Sequence, residues 1–163
     1  MNHLASALGK KFVQNKEQIR TRSFELGGHT FKVKVPLSAE SDAIQERLKT
    51  PDEELVQKYY DQITKPLIDN KDNTSAEDGI EFKENDVVVL GRSMREAAKT
   101  KTITEQRITE MFKLLVPEEE GFDMTTITYK DIEELFPLPI QLRVVEEITN
   151  VISFDYGKTK EKS

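Results

Sequence analysis

The stretch TRSFELGGHTFKVKV, residues 21–35, carries the clearest structural signal in the chain. Apolar residues alternate with polar ones on both sides of Gly27-Gly28, and this period of two places Phe31, Val33 and Val35 on one face. Two adjacent glycines supply the positive φ angles that a tight turn needs. The stretch therefore predicts a β-hairpin. Because an isolated hairpin is only marginally stable, it must pack on helices or on another sheet.

Two helices are predicted after the hairpin. Residues 38–49 have apolar side chains on one helical face. A second helix is expected to begin with Thr50 as its N-cap, in a capping box with Glu53. Residues 70–78 are polar and predict a loop. The second helix has an apolar stripe that recurs every four residues, which consists of Leu55, Tyr59, Ile63 and Leu67.

The middle of the chain predicts an extra strand and then a long helix. Residues 80–90 are rich in β-branched side chains, which favour a strand, although the start of a buried helix gives a similar pattern. Residues 93–116 have helical periodicity. We expect a break near residues 100–104, because Thr102 and Glu105 have the spacing of a capping box.

The C-terminal region predicts a short helix, a joint with two prolines and a longer helix. Thr128 is expected to cap the short helix over residues 129–135, and Pro139 to open the longer one. The longer helix has apolar residues on more than one face. A central core helix is the favoured interpretation, and a helix covered on its second face by a partner is the alternative. On the partner interpretation the candidate binding residues are Phe136, Leu138, Leu142 and Val145.

These elements predict the α+β class. We expect a mostly helical single domain over residues 21–156, with an N-terminal β-hairpin and an extra strand near residues 80–90. Residues 1–20 are weakly patterned and predict either a weakly ordered segment or a helix that depends on a partner. Residues 157–163 lack packing side chains and predict a disordered tail.

Composition narrows the function. The net charge of −6 argues against non-specific binding to nucleic acid, which requires a basic face. The absence of cysteine excludes disulfides, thiol catalysis and zinc ribbons, and two histidines leave little for a histidine-built metal site. No apolar run reaches the roughly 20 residues that span a bilayer. We therefore expect a cytoplasmic protein without membrane association and without a cofactor.

The motifs of common active sites are incomplete. Gly91-Arg92-Ser93 lacks the second glycine of a nucleophile elbow. Gly157-Lys158-Thr159 supplies only the end of a phosphate-binding loop. The prediction is a protein that is not an enzyme and acts by binding other proteins. A small enzyme with a carboxylate-only metal site stays open as an alternative.

Three features resemble the tail assembly chaperones of long-tailed, siphovirus-type bacteriophages. The first is the hairpin RSFELGGHTFKV at residues 22–33 near the start of a short acidic chain. The second is DIEELFPLPIQL at residues 131–142, which has the order helix, proline joint, helix. The third is Gly157-Lys158, since the short chaperone of that family is often extended by a ribosomal frameshift at a site that commonly encodes Gly-Lys.

The resemblance implies a function and partners. A protein of that family is not an enzyme: it coats the tape-measure protein, keeps it soluble and helps recruit tail-tube subunits. The expected partners are thus the tape-measure protein and the tail-tube protein, with homo-oligomers as a further expectation. The alternative from another class is a structural virion or prophage protein, such as a head–tail connector or a tail-completion subunit.

Overall fold

A computed structural model describes residues 2–74 and 76–154. They fall into two compact units, drawn from Met1–Ala43 with Ile108–Ser163 (unit 1) and from Ile44–Arg107 (unit 2). Within the described residues there are seven α-helices, a two-stranded sheet and a three-stranded sheet. The predicted α+β class is confirmed. The predicted tail over 157–163, with its Gly157-Lys158, lies outside the described residues, and the single domain over 21–156 stays a prediction.

The predicted hairpin is present in unit 1. Strands β1 (Thr21–Leu26) and β2 (His29–Lys34) pair antiparallel, with Phe24 opposite Phe31. The two-residue turn has φ angles of 60° at Gly27 and 80° at Gly28, as a type I′ turn requires. The rings of Phe24 and Phe31 stack with their centroids 5.1 Å apart, which fixes the register of the buried face.

The free edge of β2 pairs with a segment that the sequence pattern assigned to a helix. The amide of Lys34 donates to the carbonyl of Leu114, and the amide of Val116 donates to the carbonyl of Lys32, each over 2.8 Å. Helix α5 (Met94–Phe112) therefore ends before this segment, and the prediction of helix up to residue 116 is wrong. The backbone of these residues forms hydrogen bonds with the strand instead of extending the helix.

Two C-terminal helices complete unit 1. Helix α6 (Tyr129–Leu135) has the predicted cap, since Thr128 and Asp131 form both halves of a capping box. Helix α7 (Leu138–Ile152) packs on both strands. The Arg22 guanidinium donates to the carbonyl of Val151 over 2.5 Å and so holds the end of α7 against β1. The buried core of unit 1 consists of Phe24, Val33, Ile108, Phe112, Ile132, Val144, Val145, Ile148 and Val151.

The N-terminal residues form helices α1 (His3–Leu8) and α2 (Lys10–Ile19), and neither contains a buried residue. Their join is Gly9, with φ of 99°, a conformation that favours glycine. The carboxylate of Glu17 lies 2.8 Å from the ammonium of Lys34 and receives its hydrogen bond, which lowers the pKa of Glu17. Whether these helices form without a partner stays a prediction. Helix α3 (Ser38–Lys49) follows with the predicted bounds.

Unit 2 combines helix α4 (Glu53–Asp69) and most of α5 with a small antiparallel sheet. The sheet contains β3 (Ile80–Phe82), β4 (Val87–Val89) and β5 (Arg92–Ser93), in that order. The strand prediction for residues 80–90 is confirmed, and that stretch supplies two strands. The loop between α4 and β3 includes short 3₁₀ turns at Lys71–Asn73 and Ala76–Asp78. The buried core of unit 2 consists of Val56, Tyr60, Val87 and Ala98.

Two predicted helix caps in unit 2 are wrong. Asp52, not Thr50, is the N-cap of α4: its carboxylate accepts the amides of Glu54 and Leu55 at 3.0 and 3.4 Å. Thr102 does not cap a new helix, because α5 is continuous there. Its side chain is fully buried and donates to the carbonyl of Ala98 at 2.9 Å, one turn earlier in the helix. The predicted stripe of α4 does pack against the core, since Tyr59, Ile63 and Leu67 are partly buried there beside the buried Val56 and Tyr60.

Candidate protein-binding surface

The structure separates the four candidate partner-binding residues into two pairs. Val145 is 8% exposed and belongs to the core of unit 1. Phe136 is half-buried, and its ring meets the ring of Phe112 edge-on with the centroids 5.4 Å apart. Both residues therefore pack inside unit 1, as the core interpretation of this helix predicted.

Leu138 and Leu142 lie on the surface. They are 50% and 47% exposed, although leucine is a residue that folding usually buries. Residues four apart in a helix share a face, with about 5–6 Å between their Cβ atoms. Leu142 directly follows the buried Gln141, about 100° further round the helix axis. The leucine pair therefore extends the apolar face of α7 from the core out to the surface.

Leu135 is a further exposed leucine close to this pair in the chain, and the sequence interpretation missed it. It is the last residue of α6 and is 76% exposed. Two residues lie between it and Leu138, so the two Cα atoms are at most about 11 Å apart along extended chain. The signal in the sequence was a second apolar side chain in this short helix, which already buries Ile132. We call Leu135, Leu138 and Leu142 the α6–α7 leucine surface.

A buried amide holds the joint between the two helices in shape. Gln141 is 1% exposed. Its Oε1 accepts the hydroxyl proton of Tyr129 in α6 at 2.9 Å, and its Nε2 donates to the carbonyl of Phe136 at 2.8 Å. Buried amides are stable in a core only when they are hydrogen-bonded in this way. Gln141 therefore fixes the angle at which the leucines are presented, and no sequence pattern distinguished it from a surface glutamine.

The charges beside the leucine surface are mostly acidic. Glu133 and Glu134 are exposed on α6, immediately before Leu135. On α7, Arg143 is held by Glu147 at 3.0 Å and lies 3.8 Å from Glu146. An apolar strip with acidic neighbours favours a partner that carries apolar side chains next to basic ones.

Unit 2 contains a polar cluster whose groups are engaged in building the fold. Asp86 accepts the hydroxyl proton of Ser93 at 2.5 Å and the amides of Val87 and Arg95 at 2.8 and 3.0 Å. Burial raises the pKa of Asp86, but these hydrogen bonds outweigh it and the net pKa is lowered. The hydroxyl of Ser93 in turn accepts the amide of Glu96 and so caps α5. Ser93 is thus the N-cap of a helix, in the place where the sequence resembled part of a nucleophile elbow.

The same cluster continues through a stacked guanidinium. Arg95 lies over the ring of Tyr60, with 3.9 Å from its Cζ to the ring centroid. It also donates to the backbone carbonyl of Asn85 at 2.6 Å and to the side chain of Gln57 at 3.0 Å. These contacts connect α4, the loop before β4 and α5. We assign the cluster a structural role.

Residues 2–74 and 76–154 contain no group of three or more histidine or carboxylate side chains that could hold a metal ion. In the same residues no helix combines the length and apolar character needed to cross a membrane.

Comparison with protein-family models, with curated proteins and with solved structures gives no match.

Proposed function

We propose that this protein is a non-enzymatic tail assembly chaperone of a long-tailed phage, which binds the tape-measure protein in the host cytoplasm and helps assemble the tail tube. The observation that carries the proposal is the α6–α7 leucine surface. Leu135, Leu138 and Leu142 keep 76%, 50% and 47% of their surface exposed on a chain that is otherwise strongly charged. Exposed apolar strips with polar borders are typical of protein-binding sites.

The chemistry of the surface suits a helical client. An amphipathic helix binds through apolar side chains that recur every three to four residues, and Leu138 and Leu142 present the complementary spacing. Burying an apolar side chain contributes about 1.5–3 kcal/mol when it is complete, so three half-exposed leucines support a weak, reversible contact. A chaperone that must leave the finished tail needs contacts of this strength repeated along a long client.

The test is co-expression with an apolar helical segment of the tape-measure protein encoded beside this gene. In Leu138→Gln/Leu142→Gln we expect normal circular dichroism and at least about a tenfold drop in the client retained on the tagged chaperone, because glutamine keeps the helix but removes the apolar face. The matched control is Ile68→Gln/Leu90→Gln, which alters two exposed apolar residues of unit 2. Equal client retention by both double variants would contradict the proposal.

Two further observations separate the chaperone from a structural virion protein. A chaperone is expected to be absent from purified particles, so abundant peptides of this chain in their mass spectra would favour a connector or tail-completion subunit. The codons of Gly157-Lys158 are expected to form a slippery heptanucleotide with an overlapping reading frame downstream. Ordinary codons without such a frame would contradict the predicted frameshift.

A further inference from the structure

The N-terminal helices carry an apolar surface of their own. Leu4 and Leu8 are 65% and 53% exposed and lie four residues apart in α1, so they share one helical face. Lys10 and Lys11 follow directly at the start of α2, and both are exposed. We call residues 2–11 the N-terminal arm. It exposes a leucine pair next to a lysine pair, although an isolated helix this short is marginal in water without packing.

The arm and the α6–α7 leucine surface are complementary. The surface has the exposed carboxylates of Glu133 and Glu134 ahead of the leucine pair Leu138 and Leu142. The arm has the reverse order, with its leucine pair ahead of the lysine pair. The arm thus offers leucines near lysines, and the surface offers leucines near glutamates, so the two match in both apolar character and charge.

The charge distribution along the chain agrees with this pairing. Residues 1–20 contain four lysine or arginine side chains and one glutamate, whereas the whole chain has a net charge of −6. The N-terminal segment is thus basic and the remainder is strongly acidic. Opposite charges of this kind favour association between copies and fix its orientation.

We propose that the N-terminal arm of one copy of this chain docks on the α6–α7 leucine surface of a second copy. The contact is heterologous, because the arm and the surface are different parts of the molecule, so each docked copy still offers a free arm or a free surface. The self-association depends on these two features alone and not on the identity of a client. It also occupies the surface assigned above to the client, so a client must displace the arm.

The first experiment measures self-association of the full-length chain by sedimentation velocity as its concentration is raised. We expect the sedimentation coefficient to rise with concentration and to fall when salt is added, because exposed charges are screened. Charge reversal in the arm, Lys10→Glu/Lys11→Glu, is expected to weaken association on the order of tenfold. Charge reversal on the surface, Glu133→Lys/Glu134→Lys, is expected to have the same effect.

The decisive variant combines both reversals. It restores opposite charges across the contact, so association is expected to return to near the native level. The matched control Lys58→Glu/Lys65→Glu reverses two exposed lysines of α4 and is expected to leave association unchanged. A native protein that stays monomeric at every concentration, or a combined variant that stays as weak as the single reversals, would overturn the proposal.

A second measurement tests which residues meet between copies. Zero-length carbodiimide cross-linking of mixed, isotopically labelled and unlabelled copies is expected to join Lys10 or Lys11 to Glu133 or Glu134 between chains. Links between these residues found only within one chain would overturn the proposal. No client is present in either experiment, so self-association can fail while client binding stands, and client binding can fail while self-association stands.

Discussion

The two units of this protein are stabilised in different ways. Among the described residues, the core of unit 1 buries nine apolar side chains, whereas the core of unit 2 buries four. Unit 2 adds polar contacts to its smaller core: Arg95 stacks on Tyr60, Lys101 on Tyr59 and Lys71 on Phe82. The phenol of Tyr59 also donates to the carboxylate of Glu105.

The two units therefore differ in how much apolar side chain they bury. Apolar burial is insensitive to pH and only weakly sensitive to salt, so the core of unit 1 is expected to respond little to either. Charged contacts depend on protonation and on ionic strength, and they occur in both units, as in the Glu17–Lys34 pair of unit 1 and the Arg95–Tyr60 contact of unit 2. Three substitutions test this difference between the units.

The largest effect is expected from Ile148→Ala in the core of unit 1. Ile148 is 0% exposed, and removing a buried isoleucine side chain leaves a cavity that costs about 2–5 kcal/mol of unfolding free energy. The same change at Ile140, which is 41% exposed in the same helix, is expected to cost less than about 1 kcal/mol. Urea unfolding of both variants measures the difference. Similar midpoints for the two would show that the packing of α7 does not stabilise unit 1.

A smaller effect that depends on pH is expected from Asp86→Asn in unit 2. The folded pKa of Asp86 lies below its ordinary value of 3.8, so its carboxylate stabilises the fold above that pH and loses this effect as the pH falls through the folded pKa. At neutral pH we expect Asp86→Asn to lower the free energy of unfolding by about 1–2 kcal/mol, because the variant weakens hydrogen bonds to a charged acceptor. Below pH 3.8 the difference in unfolding free energy between the native protein and the variant should become smaller.

Unfolding at neutral and acidic pH checks the Asp86 prediction. The control is Asp69→Asn, which removes an exposed carboxylate at the end of α4. A constant gap between the native protein and Asp86→Asn at both pH values would show that ionisation of Asp86 does not contribute to stability.

The smallest effect is a gain in stability from Leu90→Asn. Leu90 and Gly91 form the two-residue turn between β4 and β5, and Leu90 has φ of 50°, in the left-handed region. Asparagine adopts this conformation more readily than leucine, and Leu90 is 81% exposed, so little packing is lost. We expect a gain of about 0.5–1 kcal/mol, measured by thermal unfolding. Leu90→Val should be less stable than the native chain, because a β-branched residue is disfavoured at positive φ. A more stable Leu90→Val variant would show that the backbone at Leu90 is not strained.

Local signals predicted the local structure well. The hairpin with its tight glycine turn and the Thr128 cap depend on residues close together in sequence, and both were predicted correctly. The caps at Thr50 and Thr102 were wrong for a related reason. Each residue has the right chemistry for a cap, but Asp52 competes for the first helix end, and the burial of Thr102 keeps α5 continuous.

The candidate surface was only partly predictable. The sequence indicated that α7 has more apolar residues than one face needs, and it placed Leu138 and Leu142 among the candidates. It could not separate them from Val145, because leucine and valine have similar hydrophobicity and the choice depends on which side of α7 packs on β1 and β2. The strands bury Val144, Val145 and Ile148, so the leucines stay outside.

Local sequence was enough to place the hairpin, the helices at 38–49 and 129–135, the acidic charge and the basic N-terminal segment. These follow from periodicity, turn chemistry and charge, which are properties of neighbouring residues. Long-range packing sets the end of α5, the apolar residues that remain exposed and the burial of Gln141 at the joint. Those outcomes depend on contacts between segments far apart in the chain, because a side chain is buried or exposed by what packs against it and not by its own type.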